Sequence, residues 1–150
     1  MTVVKIMQLY SDRQGHEVVS QAGARLRADM GVKKCGETVW NTELLRNAKL
    51  RMMAAHEATE ADFVIIAARE GQPLTPQLRQ WLQLWKDPRR QERRSTLIAL
   101  LHRDCGNTPR TIERAFHAFA RRAKMDFLCH SRVELKSERF AVELNLPFLA

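Results

Sequence analysis

Cys35, Cys105 and Cys129 are the only cysteines in a chain of 150 residues; they lie far apart and form no CxxC pair. Neither a disulfide framework nor a structural zinc site is therefore expected. The five histidines, His16, His56, His102, His117 and His130, show no HxxxH or similarly close spacing, so three or four convergent metal ligands are not expected either. No apolar run approaches the roughly 18 residues that a membrane span requires. The stretch from Met1 to Tyr10 carries Lys5 within its apolar residues instead of a basic leader ahead of them. These absences predict a cytoplasmic chain with reduced thiols and no membrane association. No internal repeat or low-complexity segment is present, which removes solenoids and arrays.

What is present is enough apolar content, 45%, for one core of ordinary size. Twenty-five Lys and Arg against 17 Asp and Glu leave a net charge of +8. That excess favours acidic or phosphorylated partners, but it is spread over many segments and serves equally as a solubility feature.

The chain alternates between two periodicities. Val3 to Tyr10 reads as a first strand. Ser11, with Gln14 three residues on, reads as a capping-box start for a helix striped by Val18, Val19, Ala22, Leu26 and Met30 and closed by Gly31. Cys35 to Trp40 is a short second strand. Asn41 or Thr42 then caps a helix with Leu44, Leu45, Ala48, Met52 and Ala55 on one side. Phe63 to Ala68 is apolar throughout, as in a strand buried on both faces of a parallel sheet. Thr75 and Pro76 suit the cap and first position of a helix whose Leu78, Trp81, Leu82 and Trp85 fall at i, i+3, i+4 and i+7. Ser95 to Leu101 is a fourth strand. Thr108 and Pro109 repeat the cap-plus-proline start before Ile112, Ala115, Phe116, Phe119, Ala120 and Ala123, and Asp126 to Val133 is a fifth strand.

Five strands alternating with four helices imply right-handed crossovers and an α/β three-layer sandwich. The compact length favours a flavodoxin-like parallel sheet of order 2-1-3-4-5; a Rossmann dinucleotide domain is disfavoured because no GxGxxG follows the first strand. Residues 1–133 are expected to form this domain. Beyond it Phe140, Val142, Leu144, Leu146 and Phe148 alternate with Ala141, Glu143, Asn145 and Pro147. Residues 134–150 thus read as an extra strand or extended arm, with one apolar face laid on the domain or on a partner chain, including a second copy.

Open α/β sheets place ligands at the carboxyl ends of their strands. By position the site candidates are Ser11, Arg13, Gln14 and Gly15 after the first strand, Arg69, Glu70, Gly71 and Gln72 after the third, and His102 and Arg103 after the fourth. The segment ADFVIIAAREGQPLTPQLRQWLQLW, Ala61 to Trp85, resembles the middle of the flavodoxin-like NAD(P)H-dependent FMN reductases, in which a buried strand leads to a flavin-facing loop, a proline and a helix ending near a tryptophan. It is also similar to small bacterial proteins of the same layout. The reductase resemblance implies FMN as cofactor, with Glu70 and Gly71 at the flavin-facing loop. The reductases usually carry an aromatic residue there, and Arg69 to Pro73 contains none. Likewise, a flavodoxin phosphate loop is rich in Ser, Thr and Gly. Here the loop YSDRQGHE offers Tyr10, Ser11, Gly15 and the cation of Arg13, but lacks the threonines and places Asp12 where a phosphate would settle. These departures favour a non-catalytic module with a degenerate nucleotide pocket, acting through protein contacts, over an FMN-dependent NAD(P)H reductase.

Three other constellations are weaker. His102, Arg103, Asp104 and Cys105 have the residue types of an activated thiol, but a polar turn with a helix cap accounts for them without a third orienting group. A phosphoacceptor receiver would need clustered acids after the first strand and an aspartate ending the third, where Arg69 and Glu70 stand. The basic run Lys86, Arg89, Arg90, Arg93 and Arg94 is interrupted by Asp87 and Glu92 and lacks interleaved aromatics, so it reads as a solvated loop and nucleic acid is not expected as a partner.

Overall fold

The computed structural model describes residues 3–31, 35–69, 73–86, 95–102 and 111–133. Strands β1 (Val4–Tyr10), β2 (Cys35–Asn41), β3 (Phe63–Arg69), β4 (Thr96–His102) and β5 (Asp126–Val133) alternate with helices α1 (Arg13–Met30), α2 (Ala48–Glu60), α3 (Pro76–Lys86) and α4 (Thr111–Arg122). A short 3₁₀ turn, Thr42–Arg46, precedes α2. The strands pair in the order β2-β1-β3-β4-β5, and every neighbouring pair is parallel. The expected α/β class and strand order are therefore observed.

The uninterrupted apolar run of β3 follows from its central position. Phe63, Ile65 and Ala67 face one core with Val18, Val19, Ala22 and Leu26 of α1, while Val64, Ile66 and Ala68 face a second core with residues of α2, α3 and α4. A strand with water on neither side has no position for a polar residue. The helix stripes behave similarly. Leu78, Trp81, Leu82 and Trp85 are buried, and Thr75 Oγ1 accepts from the Leu78 N–H at 3.3 Å, so the expected cap and stripe of α3 are both present. Trp85 lies edge-on to Phe119 at 4.7 Å, tying α3 to α4. Gly31 closes α1 at φ 60°, a left-handed conformation that costs a residue with a Cβ extra energy.

Two local expectations are corrected. The cap of α1 is Asp12, not Ser11 with Gln14: Asp12 Oδ1 accepts from the Gly15 N–H at 2.7 Å. A carboxylate directly before the helix is the stronger acceptor and also favours the positive end of the helix dipole. The segment after β2 is not one helix. Asn41 caps the 3₁₀ turn, and Asn47 then caps α2 by accepting from the Leu50 N–H at 3.1 Å. The restart changes the phase of the stripe, so Leu45, Ala54, Ala55 and Ala58 are buried whereas Leu44 and Met52 are exposed. The cap expected at Thr108 and Pro109, the basic run beyond Lys86 and the alternating tail lie outside the described residues.

Candidate functional site

The strand order makes β1 and β3 neighbours, so the turns leaving them meet at the carboxyl edge of the sheet. There Asp12 uses both carboxylate oxygens. Oδ1 caps α1 through Gly15, and Oδ2 accepts from Arg69 Nε at 3.1 Å. Arg69 is the last residue of β3 and lies in register with His102, the last residue of β4. Ser11 is exposed in the turn, Arg13 is exposed at the first position of α1, Gln14 is half-buried and Gly15 is buried. Of the ten positional candidates, Ser11, Arg13, Gln14, Gly15, Arg69 and His102 thus gather at one edge; Glu70, Gly71, Gln72 and Arg103 lie outside the described residues.

Beside the Asp12–Arg69 pair is a cavity of about 40 Å³ lined by Ser11, Thr42, Ala67, Ala68, Arg69, Pro73, Leu74, Thr75, Leu78 and Ile112. That volume suits a water molecule, whereas sites for cofactors and drug-sized ligands run to roughly 300 Å³ or more. Thr42, Leu74 and Ile112 were not legible as part of this edge, because each comes from an element whose position depends on the sheet order. The Asp12–Arg69 pair depends on the same order: Asp12 lies two residues past β1 and Arg69 ends β3, and pairing of β1 with β3 sets those strand ends side by side.

The N-terminus of an 18-residue helix attracts an anion, because its first N–H groups are unsatisfied and its dipole points the right way. Here the chain supplies its own anion. A phosphate at the same place would displace the Gly15 N–H from Asp12 or lie against the carboxylate, and Arg69 is already engaged. The residues present therefore do not fit a flavin phosphate in the way a loop of hydroxyls and free N–H groups would. Among the described residues no group of three or more His, Cys, Asp and Glu is placed to hold a metal ion, and no helix is long and apolar enough to cross a membrane.

Solved structures share the fold. The flavodoxin-like domain of a protein from Synechococcus sp. superposes with a TM-score of 0.56 at 13% identity, over 92% of this chain and 89% of that one. The fold is flavodoxin-like. The metal-soaked flavodiiron core from Synechocystis sp. superposes with a TM-score of 0.61 at 14% identity; it matches 93% of this chain, which spans only 33% of that larger protein. No protein-family model and no curated protein sequence matches the chain. At these identities the likeness is one of flavodoxin-like backbone, and function has to be argued from the side chains.

Proposed function

We propose that this chain is a flavodoxin-like module with a degenerate nucleotide pocket, acting through protein contacts and not through flavin chemistry. The observation that carries this reading is the Asp12 carboxylate on the α1 N-terminus, held there by the Gly15 N–H at 2.7 Å and by Arg69 at 3.1 Å. A second negative charge has no stabilised place beside it. Two unit charges 4 Å apart repel by about 1 kcal/mol in water and about 4 kcal/mol at an effective dielectric of 20, and a phosphate carries more than one charge. The lack of an aromatic residue between Arg69 and Pro73 points the same way.

The protein-contact part is supported by the outer surface of the 3₁₀ turn, α2 and α3. Leu44, Met52, Met53 and Leu84 are exposed there, and a groove of about 510 Å³ runs between Ala48, Arg51 and Met52 on α2 and Arg79, Gln80, Gln83 and Leu84 on α3. Methionine and arginine are enriched at protein interfaces, and this mixture suits a partner with apolar and acidic side chains.

The test is a visible spectrum of the purified chain followed by titration with FMN. A colourless protein showing no saturable quenching of flavin fluorescence up to about 0.1 mM, an affinity weaker than about −5.5 kcal/mol, is the expected result. A yellow protein, or one-to-one binding in the micromolar range, would overturn the reading in favour of an FMN-dependent NAD(P)H reductase.

A further inference from the structure

The restart of the helix at Asn47 shapes the surface as well as the core. Ala54, Ala55 and Ala58 take the buried side of α2, so Met52 and Met53 are turned outward, 58% and 53% exposed. Helix α3 buries Leu78, Trp81, Leu82 and Trp85, which leaves Arg79, Gln80, Gln83 and Leu84 on its outer side. These outer sides border the groove of about 510 Å³, with Arg51 and Met52 on one wall and Arg79, Gln80, Gln83 and Leu84 on the other. Among the described residues that line it, the charged ones are both arginines. Arg51 is half-buried, and its Nη1 donates to the Leu45 carbonyl at 2.9 Å, so the guanidinium is fixed at the wall before anything binds.

We propose that this groove is the docking site of an acidic amphipathic helix of a partner protein, its apolar side chains entering between Met52 and Leu84 and its carboxylates meeting Arg51 and Arg79. The proposal rests on the reading that the chain acts through protein contacts. Charge selects an acidic occupant. Guanidiniums on both walls favour carboxylates, with which arginine forms paired hydrogen bonds, and they oppose a second copy of this chain, which would bring the same arginines and a net charge of +8. The apolar rim selects a protein over a nucleic acid, since Met52, Met53 and Leu84 offer nothing to a phosphate backbone, whereas methionine adapts its shape to an apolar side chain. The helical form follows from the backbone. The N–H and C=O groups of α2 and α3 are bonded within their own helices, so an extended segment in the groove would find no backbone partners there, while a helix satisfies its own. Along α3 the groove runs from Arg79 to Leu84. At about 1.5 Å per residue that is about 7.5 Å, enough for two side chains at i and i+4 of a helix laid alongside.

The probe is a fluorescein-labelled peptide of about 18 residues, long enough for partial helicity in water, with leucine at i, i+3, i+4 and i+7 and glutamate on its flanks. Its fluorescence anisotropy is titrated with the full-length chain at physiological salt, where non-specific attraction to the net charge is screened. Saturable binding is expected, weakened about tenfold or more by Met52→Asp and by scrambling the order of the peptide. Arg79→Glu should weaken it likewise, and should strengthen binding of the same peptide with lysine in place of glutamate. Met52 and Arg79 are exposed, so neither variant should shift the thermal midpoint by more than about 3 °C. The proposal is overturned if the acidic peptide shows no saturation up to about 0.5 mM, if the scrambled peptide binds as well, or if Met52→Asp leaves binding unchanged. It is overturned equally if the parent chain is a dimer that Met52→Asp dissociates, which would place a second copy in the groove. A midpoint lowered by Met52→Asp well beyond that limit would place part of this chain there, and binding to phosphatidylserine vesicles in place of the peptide, lost in Met52→Asp, would make the groove a membrane surface; either result overturns the proposal. Titration of the same samples with FMN separates the two readings. Flavin binding would overturn the degenerate pocket and leave the groove standing, because the groove shares no lining residue with the cavity beside Asp12 and Arg69. A failed peptide titration without a flavin response overturns the groove alone.

Discussion

Asp12 holds two positions at once, and the two are separable by substitution. Asp12→Ala removes the cap of α1 and the partner of Arg69, and should cost about 1 to 2 kcal/mol in urea unfolding. Arg69→Ala removes only a pair whose side chains are 42% and 32% exposed, and should cost less than about 1 kcal/mol. Equal losses for the two variants would show that the pair, and not the cap, sets the role of Asp12. Asp12→Thr keeps a capping oxygen without the charge, so it should bind inorganic phosphate or FMN more tightly than the parent chain, which isothermal titration would register. Gly23 offers a second test at this scale. Alanine is normally the better helix former by about 1 kcal/mol, but a Cβ at position 23 would lie 2.6 Å from Gln8 Nε2 and 3.0 Å from Glu37 Oε1. Gln8 is buried and donates to Glu37 at 3.0 Å, and Glu37 also pairs with Arg27 at 2.8 Å. Gly23→Ala should therefore destabilise the fold, and adding Gln8→Ala should recover part of the loss. A thermal midpoint raised by Gly23→Ala alone would contradict this packing.

The junction between the 3₁₀ turn and α2 decides which neighbouring leucine carries weight. Leu45 is fully buried and Leu44 is 46% exposed, although the two adjoin in sequence and both suit an apolar stripe. Leu45→Ala should cost about 2 to 5 kcal/mol, the range for a large-to-small change in a packed core, and Leu44→Ala less than about 0.5 kcal/mol. Asn47→Ala should cost about 1 kcal/mol through the lost cap of α2. Chemical denaturation of the three variants checks this order; equal losses at Leu44 and Leu45 would mean that the turn and α2 form one continuous helix. Trp40 belongs to the same region. Its indole N–H donates to a Glu57 carboxylate oxygen, so a tryptophan on the edge strand β2 is anchored to α2 through its polar end.

Over the whole molecule, the net charge of +8 gives any polyanion a non-specific attraction. Such binding falls steeply with salt, by about 10³ to 10⁵ between 50 and 200 mM for a protein that neutralises 6 to 10 phosphates. Electrophoretic shift measurements should therefore show binding to nucleic acid at low salt and little at physiological salt. A tight complex at physiological salt, lost when Arg89, Arg90, Arg93 and Arg94 are replaced together, would instead make the basic run a nucleic-acid surface.

The five strands and most of the helical segments were legible in the sequence, because burial on two faces, on one stripe or on none leaves different periods in the chain; the break between the 3₁₀ turn and α2 was not. The runs Phe63 to Ala68 and Leu97 to Leu101 and the stripe from Leu78 to Trp85 were readable for that reason, and their number and alternation also set the parallel class. Caps and helix phase were less legible. Ser11, Asp12, Asn41, Thr42 and Asn47 are all good capping residues, and only the folded backbone chooses Asp12, Asn41 and Asn47 among them. The candidate site lay deeper still. Its turns could be located at the ends of strands, but the pairing of Asp12 with Arg69, 57 positions away, exists only because β1 and β3 lie side by side. Tertiary structure decided it, since a charge separated that far along the chain acquires a partner only when the sheet brings the two strand ends together.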